Sequence, residues 1–242
     1  LETIVFLFGG ILGTLHHLYF TGTPTVVIAI GAMFSALEVV PLALIGTEAY
    51  RNYKRSQSAP WVHSYKWAIL CFIAVGFWNV VGAGLLGFSI NTPIALYYMQ
   101  GMNMTAAHGH AALFGVYGML GIGLLLFSLR GLTDRLAWSD KLLSPMFWSL
   151  NIGLAMMVFV SLMPAGIYQA WASISRGVWF ARSPEVIHSI LMETFVWLRV
   201  PGDIVFSVGV IFLALFAVKL VTGGQRARPA PAIAGVVQAS KV

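Results

Sequence analysis

Four of the six histidines lie in two close pairs, each set in an apolar stretch of the chain. His16 and His17 are adjacent, whereas His108 and His110 are separated only by Gly109. Imidazole is the commonest metal ligand among side chains. A single histidine in an apolar helix is more often a packing residue, but ionisable groups in a membrane are costly and mark functional sites. Two pairs therefore favour metal ligation.

Helix geometry gives the two pairs different tasks. Adjacent residues on an α-helix are about 100° apart, so His16 and His17 can turn toward one metal ion. Residues i and i+2 are about 200° apart, so His108 and His110 are expected to bind two different centres on opposite sides of one helix. Gly109 and the small residues 105–107 leave room for flat macrocycles against the backbone. His63 and His188 are interpreted as surface residues.

Two carboxylates also lie in apolar surroundings. Glu38 falls about fourteen residues into an apolar run, which places it roughly 20 Å below the outer end of that helix. We interpret it as a proton donor or acceptor, and the alternative is a protonated carboxyl bonded to a neighbour. Asp203 follows Pro201-Gly202. It either contacts a polar ligand at the outer face or forms a helix cap or ion pair with Arg199.

The composition excludes a soluble domain and a disordered chain. Of the 242 residues, 59% are hydrophobic and 9% are charged, whereas soluble domains carry about 25% charged residues. The formal charge of +6 fits basic cytoplasmic loops, so no nucleic-acid partner is expected. Cys71 is the only cysteine, which excludes an intrachain disulfide, a C-x-x-C-H haem attachment and a thiolate metal cluster.

The elements that must position these residues are membrane helices, so the fold class is all-α integral membrane. Residues 1–222 are predicted to form a helical domain, and residues 223–242 a disordered cytoplasmic tail. A kink is expected at Pro201-Gly202. Each predicted span is about long enough to cross 30 Å of hydrocarbon; the six are about 3–20, 24–49, 67–90, 104–129, 145–172 and 186–220.

Loop charges set the expected topology. Eleven of the fourteen Lys and Arg residues fall between the second and third spans, between the fourth and fifth, and after the sixth. The positive-inside rule makes these regions cytoplasmic, so both histidine pairs lie in the outer half of the membrane. Residues 82–87 fit G-x-G-x-x-G. They lie inside a span, so close helix packing explains them better than nucleotide binding.

An ordered set of motifs resembles the bacterial respiratory nitric oxide reductases of the haem-copper oxidase superfamily. The motifs are GTLHHLY at 13–19, FSALE at 34–38, and TAAHGHA at 105–111 followed by Phe114-Gly115. The likeness extends over all six predicted spans. RVPGD at 199–203 resembles the quinol-dependent type within this family.

The resemblance implies a role for each residue. His16 and His17 would be ligands of the non-haem iron FeB, His108 the axial ligand of high-spin haem b3, and His110 an axial ligand of low-spin haem b. Glu38 would be the glutamate that takes part in proton delivery near the FeB/haem b3 site, and Asp203 would contact the quinol head group. Nitric oxide would be reduced with electrons from quinol in the bacterial cytoplasmic (inner) membrane.

The family's catalytic unit has about twelve spans, so this chain resembles its C-terminal half. A third FeB histidine with a nearby glutamate, and the second haem b ligand, are expected from an N-terminal half in the same polypeptide or a separate chain. Four alternatives stay open: a cytochrome c-dependent nitric oxide reductase, an oxygen reductase with copper in place of FeB, a haem-carrying electron-transfer anchor, and a transporter with buried histidines.

Overall fold

The structure, a computed structural model, describes residues 9–56, 60–132 and 138–222, and these ranges contain helices and turns but no strands. Five helices are long and apolar enough to cross a membrane, which confirms a multi-pass, all-helical protein. The first predicted span, 3–20, begins outside the described residues, although residues 9–18 are helical. The predicted tail, 223–242, also lies outside them.

Eight helices are numbered here in chain order, and the five membrane-crossing ones are α2, α3, α5, α6 and α8. A 3-10 turn over Thr14–Leu18 forms the end of α1, and two further 3-10 turns cover Pro60–Tyr65 and Phe180–Arg182. The helices are α1 (9–18), α2 (Thr25–Arg55), α3 (Val62–Asn91), α4 (Pro93–Met99), α5 (Asn103–Leu132), α6 (Asp140–Arg176), α7 (Pro184–Ile187) and α8 (Ile190–Thr222).

A proline interrupts α2 at Glu38. A turn at Glu38 separates its first part, Thr25–Leu37, from the part that begins at Val39. Pro41 has no backbone N–H, so the carbonyl of Leu37 has no i+4 donor and the regular ladder stops there. The interruption places a carboxylate at the one point of the span where the helix is already broken.

The same cause interrupts α8, although at a different place from the predicted kink. The helix runs over Ile190–Trp197 and Arg199–Thr222, with the break at Leu198. The expectation of a break at Pro201-Gly202 was therefore wrong by three residues. A proline removes the donor for the carbonyl four residues earlier, here that of Trp197, so the disturbance precedes the ring.

Three helices each contain a π-helical segment near mid-span. These are Asn79–Leu86 in α3, Leu113–Gly118 in α5 and Met157–Leu162 in α6. Such wide turns are rare and often lie at functional sites. The segment in α3 packs against Asn103–Ala112, the stretch of α5 that carries His108 and His110.

Glycines set the contact between α6 and α8. A Cβ atom added at Gly153 would lie 2.4 Å from the backbone nitrogen of Phe206, and one at Gly209 would lie 2.8 Å from that of Leu150. No side chain fits at either distance, so the two backbones touch directly. Small residues at helix interfaces allow this close approach in membranes, where dispersion contacts drive association.

We expect Gly153→Ala to lower the midpoint temperature of thermal unfolding in detergent. The added methyl must push α8 away from α6, and overpacking of this kind costs about 1–3 kcal/mol. Gly76→Ala is the matched control, because a Cβ atom at Gly76 meets nothing within 4 Å. A helical Gly→Ala change in open space is neutral or stabilising, so equal losses in both variants would contradict the packing argument.

Polar bonds fix the start of α5. The backbone N–H of Asn103 and its side-chain amide both donate to Gln169 Oε1 of α6, at 2.9 and 3.0 Å. A Cβ atom at Gly166 would lie 2.3 Å from the backbone nitrogen of Met104. Both contacts hold the first turn of α5 on α6. They therefore fix the position of the helix that carries the histidines one to two turns later.

Candidate functional site

His16 and His17 lie side by side at the end of α1. Their ring centroids are 4.1 Å apart and the ring planes are inclined by 33°. His16 is buried, and its Nδ1 bonds the carbonyl oxygen of Gly13, whereas His17 is exposed. The local helix is a 3-10 turn, with about 120° between neighbours rather than 100°. The two rings lie next to each other, and their ligation of one metal ion stays a prediction.

The backbone of α2 positions this turn. A Cβ atom added at Gly31 would lie 2.5 Å from the backbone nitrogen of His16 and 2.7 Å from Cβ of Leu15. A Cβ atom at Gly13 would likewise meet the backbone of Ser35 at 3.1 Å. Two glycines, one on each helix, therefore bring the backbones of α1 and α2 into contact beside the imidazoles.

The fourth residue of TAAH, His108, is anchored on the π-helical segment of α3. Its Nδ1 lies 2.9 Å from the carbonyl oxygen of Gly82. A carbonyl can only accept, so the proton is on Nδ1 and Nε2 keeps its lone pair. A Cβ atom at Gly87 would lie 3.0 Å from Cε1 of the same ring. The ring is thus held by a hydrogen bond and a close backbone contact.

Residues 82–87 are explained by this packing, as predicted from their position in a span. Gly82 lies against α5, where an added Cβ atom would come within 2.6 Å of Cβ of Ala111. Of the four predicted metal-binding histidines, His16 and His17 are therefore brought together, while His108 is held on α3.

The remaining histidine of the pair, His110, has its own surroundings. Its Nδ1 bonds the carbonyl oxygen of Ala106 at 2.8 Å, and its Nε2 accepts from Arg199 of α8 at 3.2 Å. His108 therefore packs on α3 while His110 meets α8, so the two rings meet different neighbouring helices, as their i, i+2 spacing predicts. A Cβ atom at Gly109 meets nothing within 4 Å, so the backbone between them borders open space.

Arg199 connects His110 to the outer-face carboxylate. Its Nε lies 3.2 Å from Asp203 Oδ1, so the predicted ion pair of these residues is present. Both side chains are about two-fifths exposed. The row Asp203–Arg199–His110 was not predicted, because only the rotation of α8 against α5 brings Arg199 to the imidazole. The Arg199 guanidinium occupies the space in front of Nε2, the nitrogen that a metal would need.

The side chain of Glu38 lies against the start of α1. A Cβ atom at Gly9 would be 2.9 Å from Glu38 Cγ, and one at Gly10 would be 3.7 Å from Oε1. The residue is half-buried, and its carboxylate makes no hydrogen bond with the described residues. Gly10 precedes His16 by six residues, or about 9 Å along a helix. The carboxylate thus lies beside the helix that carries the histidine pair.

The donor set fits a metal at His16 and His108, whereas at His110 the Arg199 guanidinium would first have to move away from Nε2. Neutral imidazoles whose Nδ1 is committed to a carbonyl present Nε2 to a metal, the usual arrangement of ligating histidines. Three of the four rings have that commitment, but the Nε2 atom of His110 accepts from Arg199. Within 9–56, 60–132 and 138–222, no group of three His, Cys, Asp or Glu residues forms a metal cage. His188 is a surface residue, as predicted, and lies 3.9 Å from Glu193.

These features define a membrane-embedded histidine site of the haem-copper oxidase class. Residues 1–205 match the family described as Cytochrome C and Quinol oxidase polypeptide I, and the chain belongs to that family. It is also similar to a nitric oxide reductase polypeptide of Stutzerimonas stutzeri, with 31% identity over 206 residues. The match covers 84% of this chain and 42% of the relative, so the chain spans less than half of that protein's length.

Proposed function

We propose that this chain is the C-terminal half of the catalytic unit of a quinol-dependent nitric oxide reductase. Two NO, two electrons and two protons would give N2O and water. The proposal rests above all on the separate surroundings of two neighbouring histidines: His108 bonds the Gly82 carbonyl of α3, while His110, two residues away, meets Arg199 of α8. A haem-carrying anchor or a transporter has no use for the adjacent imidazoles of His16 and His17.

Each histidine would hold one centre. His108 would ligate haem b3, His110 would ligate haem b, and His16 with His17 would supply two ligands of the non-haem iron FeB. When bound, these centres supply redox equivalents and a Lewis-acid site for NO. An N-terminal half, in the same polypeptide or a separate chain, would supply a third FeB histidine and the second haem b ligand.

The protein's own task is to fix these ligands at short range. The carbonyl of Gly82 holds His108 in one tautomer, and the backbone of α2 at Gly31 holds the turn that carries His16. Because His108 and His110 share one turn of α5, the two groups they bind are kept close together on opposite sides. Placing electron donor and acceptor at fixed short separation needs no moving part.

Glu38 is the described group best suited to deliver protons. Glu38→Gln keeps the shape of the side chain but cannot exchange a proton, so turnover is expected to fall by about 100-fold, within the range for a lost acid–base group. Steady-state NO consumption measures this, with haem and iron content as controls. Unchanged turnover of Glu38→Gln with full metal content would show that Glu38 does not deliver protons.

Asp203 is proposed to contact the quinol head group at the outer face. Asp203→Ala is expected to raise the KM for quinol about tenfold, as for loss of a charge-assisted hydrogen bond, while the absorption spectrum of the haems is unchanged. Glu193→Ala is the matched control, since it removes another exposed carboxylate from α8. Unchanged quinol-driven kinetics in Asp203→Ala would overturn this contact.

The proposal as a whole is tested on the intact complex by metal and haem analysis together with NO consumption. Quinol and reduced cytochrome c are supplied separately as donors. We expect two haems b, non-haem iron and turnover with quinol. Turnover with cytochrome c alone would favour the cytochrome c-dependent type, and stoichiometric copper with oxygen consumption would favour an oxygen reductase. Absence of haem from the complex would contradict the proposal and favour the alternative of a transporter with buried histidines.

A further inference from the structure

A cavity of about 440 Å³ lies where α3 begins, α5 ends and α6 begins. Its lining includes His63, Lys66, Arg130 and Asp140, and the indole rings of Trp67 and Trp138. Arg130 follows His110 by twenty residues along α5, or about 30 Å. The cavity is therefore at the opposite membrane face from the histidine site, at the end where the basic loops lie.

Two cations of the cavity are held in place and have no described anionic partner. Arg130 donates from Nε to the carbonyl oxygen of Ser64 at 2.7 Å, and its guanidinium lies 5.2 Å from the ring centroid of Trp138. Both contacts leave its terminal N–H groups uncommitted among the described residues. Lys66 Nζ lies 4.8 Å from the ring centroid of Trp67. A planar, oriented guanidinium beside an ammonium suits a phosphate.

The one described carboxylate of the cavity does not pair with either cation. Asp140 Oδ1 accepts a hydrogen bond from Trp67 Nε1 at 2.6 Å, and within the described ranges no salt bridge joins it to Lys66 or Arg130. The indole thus fixes the orientation of the carboxylate. Among the described residues, two positive charges against one negative charge favour the binding of an anion in this cavity.

The surroundings of the cavity favour a lipid over a free ion. Tryptophan side chains are enriched at the headgroup level of membranes, and two of them line this cavity. From Arg130 toward the membrane centre, α5 exposes apolar side chains, including Leu124 and Phe127, which are 52% and 44% accessible. An inorganic phosphate would use only the cations, whereas a phospholipid would use the cations, the indoles and this apolar face.

We propose that this cavity binds the phosphate headgroup of an anionic phospholipid, with the acyl chains lying along the exposed face of α5. Basic pockets between membrane helices at the cytoplasmic side are suited to such headgroups. The lipid would bridge α3, α5 and α6 at the end opposite the histidines. The inference is independent of the proposed reaction, because none of the six side chains belongs to the histidine site.

The test measures lipid preference on the intact complex in phosphatidylcholine nanodiscs. Spin-labelled phosphatidylglycerol and phosphatidylcholine are compared by electron paramagnetic resonance, which gives their relative association constant. We expect a preference for phosphatidylglycerol that falls about fivefold in Arg130→Gln and about fivefold in Lys66→Gln, the effect of one basic residue near a membrane surface. Lys54→Gln, which removes an exposed cation outside the cavity, should keep the full preference.

Three results would overturn the proposal. The first is an unchanged preference for phosphatidylglycerol in Lys66→Gln. Lys66 is exposed, so its replacement is not expected to impair folding. The second is an equal loss in Lys54→Gln, which would mean a general surface charge effect. The third is removal of the preference by millimolar inorganic phosphate, which would indicate a site for free phosphate. NO turnover plays no part in these measurements, so failure here leaves the proposed reaction untouched.

Discussion

Replacing His108 by alanine is expected to abolish NO turnover and to remove the high-spin haem signal, while the low-spin signal survives. His110 keeps its own hydrogen bond from Nδ1 to the carbonyl oxygen of Ala106, which does not involve His108. Losing even a partner of a metal ligand costs 10–100-fold in affinity or activity, so loss of the ligand should cost at least about 100-fold in turnover. Haem content and optical spectra of the purified complex measure the outcome.

Two comparisons make the His108→Ala result decisive. His188→Ala changes an exposed histidine that lies at the outer surface, and it should leave spectra and turnover unchanged. Added imidazole should restore part of the high-spin signal in His108→Ala, because the space vacated beside Gly82 matches a free imidazole. Loss of only the low-spin signal would instead reverse the assignment of His108 and His110.

The second large effect is expected from Gly31→Ala. The new methyl would lie 2.5 Å from the backbone nitrogen of His16 and 2.8 Å from the carbonyl carbon of Leu15. Neither atom is the end of a flexible side chain, so the turn that carries both histidines must move away from α2. Because metal sites tolerate little displacement of their ligands, we expect non-haem iron to fall well below one per complex and turnover to fall about 100-fold.

Gly121→Ala is the control for this prediction. It makes the same chemical change in a membrane helix at a place where the added Cβ atom meets nothing within 4 Å. Both haem spectra should be intact in Gly31→Ala, since the hydrogen bonds that hold His108 and His110 come from α3, α5 and α8, not from α2. Full iron content in Gly31→Ala, or equal iron loss in Gly121→Ala, would contradict a positioning role for this glycine.

Local hydropathy was sufficient to predict where the five described membrane-crossing helices lie, whereas the predicted span 3–20 stays a prediction. The predicted span 104–129 corresponds to Asn103–Leu132, and the predicted span 67–90 to Val62–Asn91. Apolar length is a property of consecutive residues, so it can be recognised without knowing any tertiary contact. The break in α8 was misplaced because the effect of Pro201 falls on the carbonyl of Trp197, one turn earlier.

The candidate site was predictable in part. Features that depend on residues close in sequence could be predicted, and features that depend on contacts between helices could not. The opposite orientation of His108 and His110 follows from helix geometry alone. The hydrogen bond from His108 to Gly82 and the contact of Arg199 with His110 depend on how α3 and α8 are rotated about α5. Gly82 was recognised only as a packing residue, since a backbone carbonyl leaves no signal in the sequence.

The π-helical segment Asn79–Leu86 makes the number of residues in α3 as critical as their types. Removing one residue there would restore a regular helix, but it would rotate everything beyond by about 100° and shift it by about 1.5 Å. Gly82 and Gly87 could then no longer meet Ala111 and His108 together. A relative that lacks one residue at this place would need a compensating insertion within the same helix, so indels in α3 should occur in pairs or not at all.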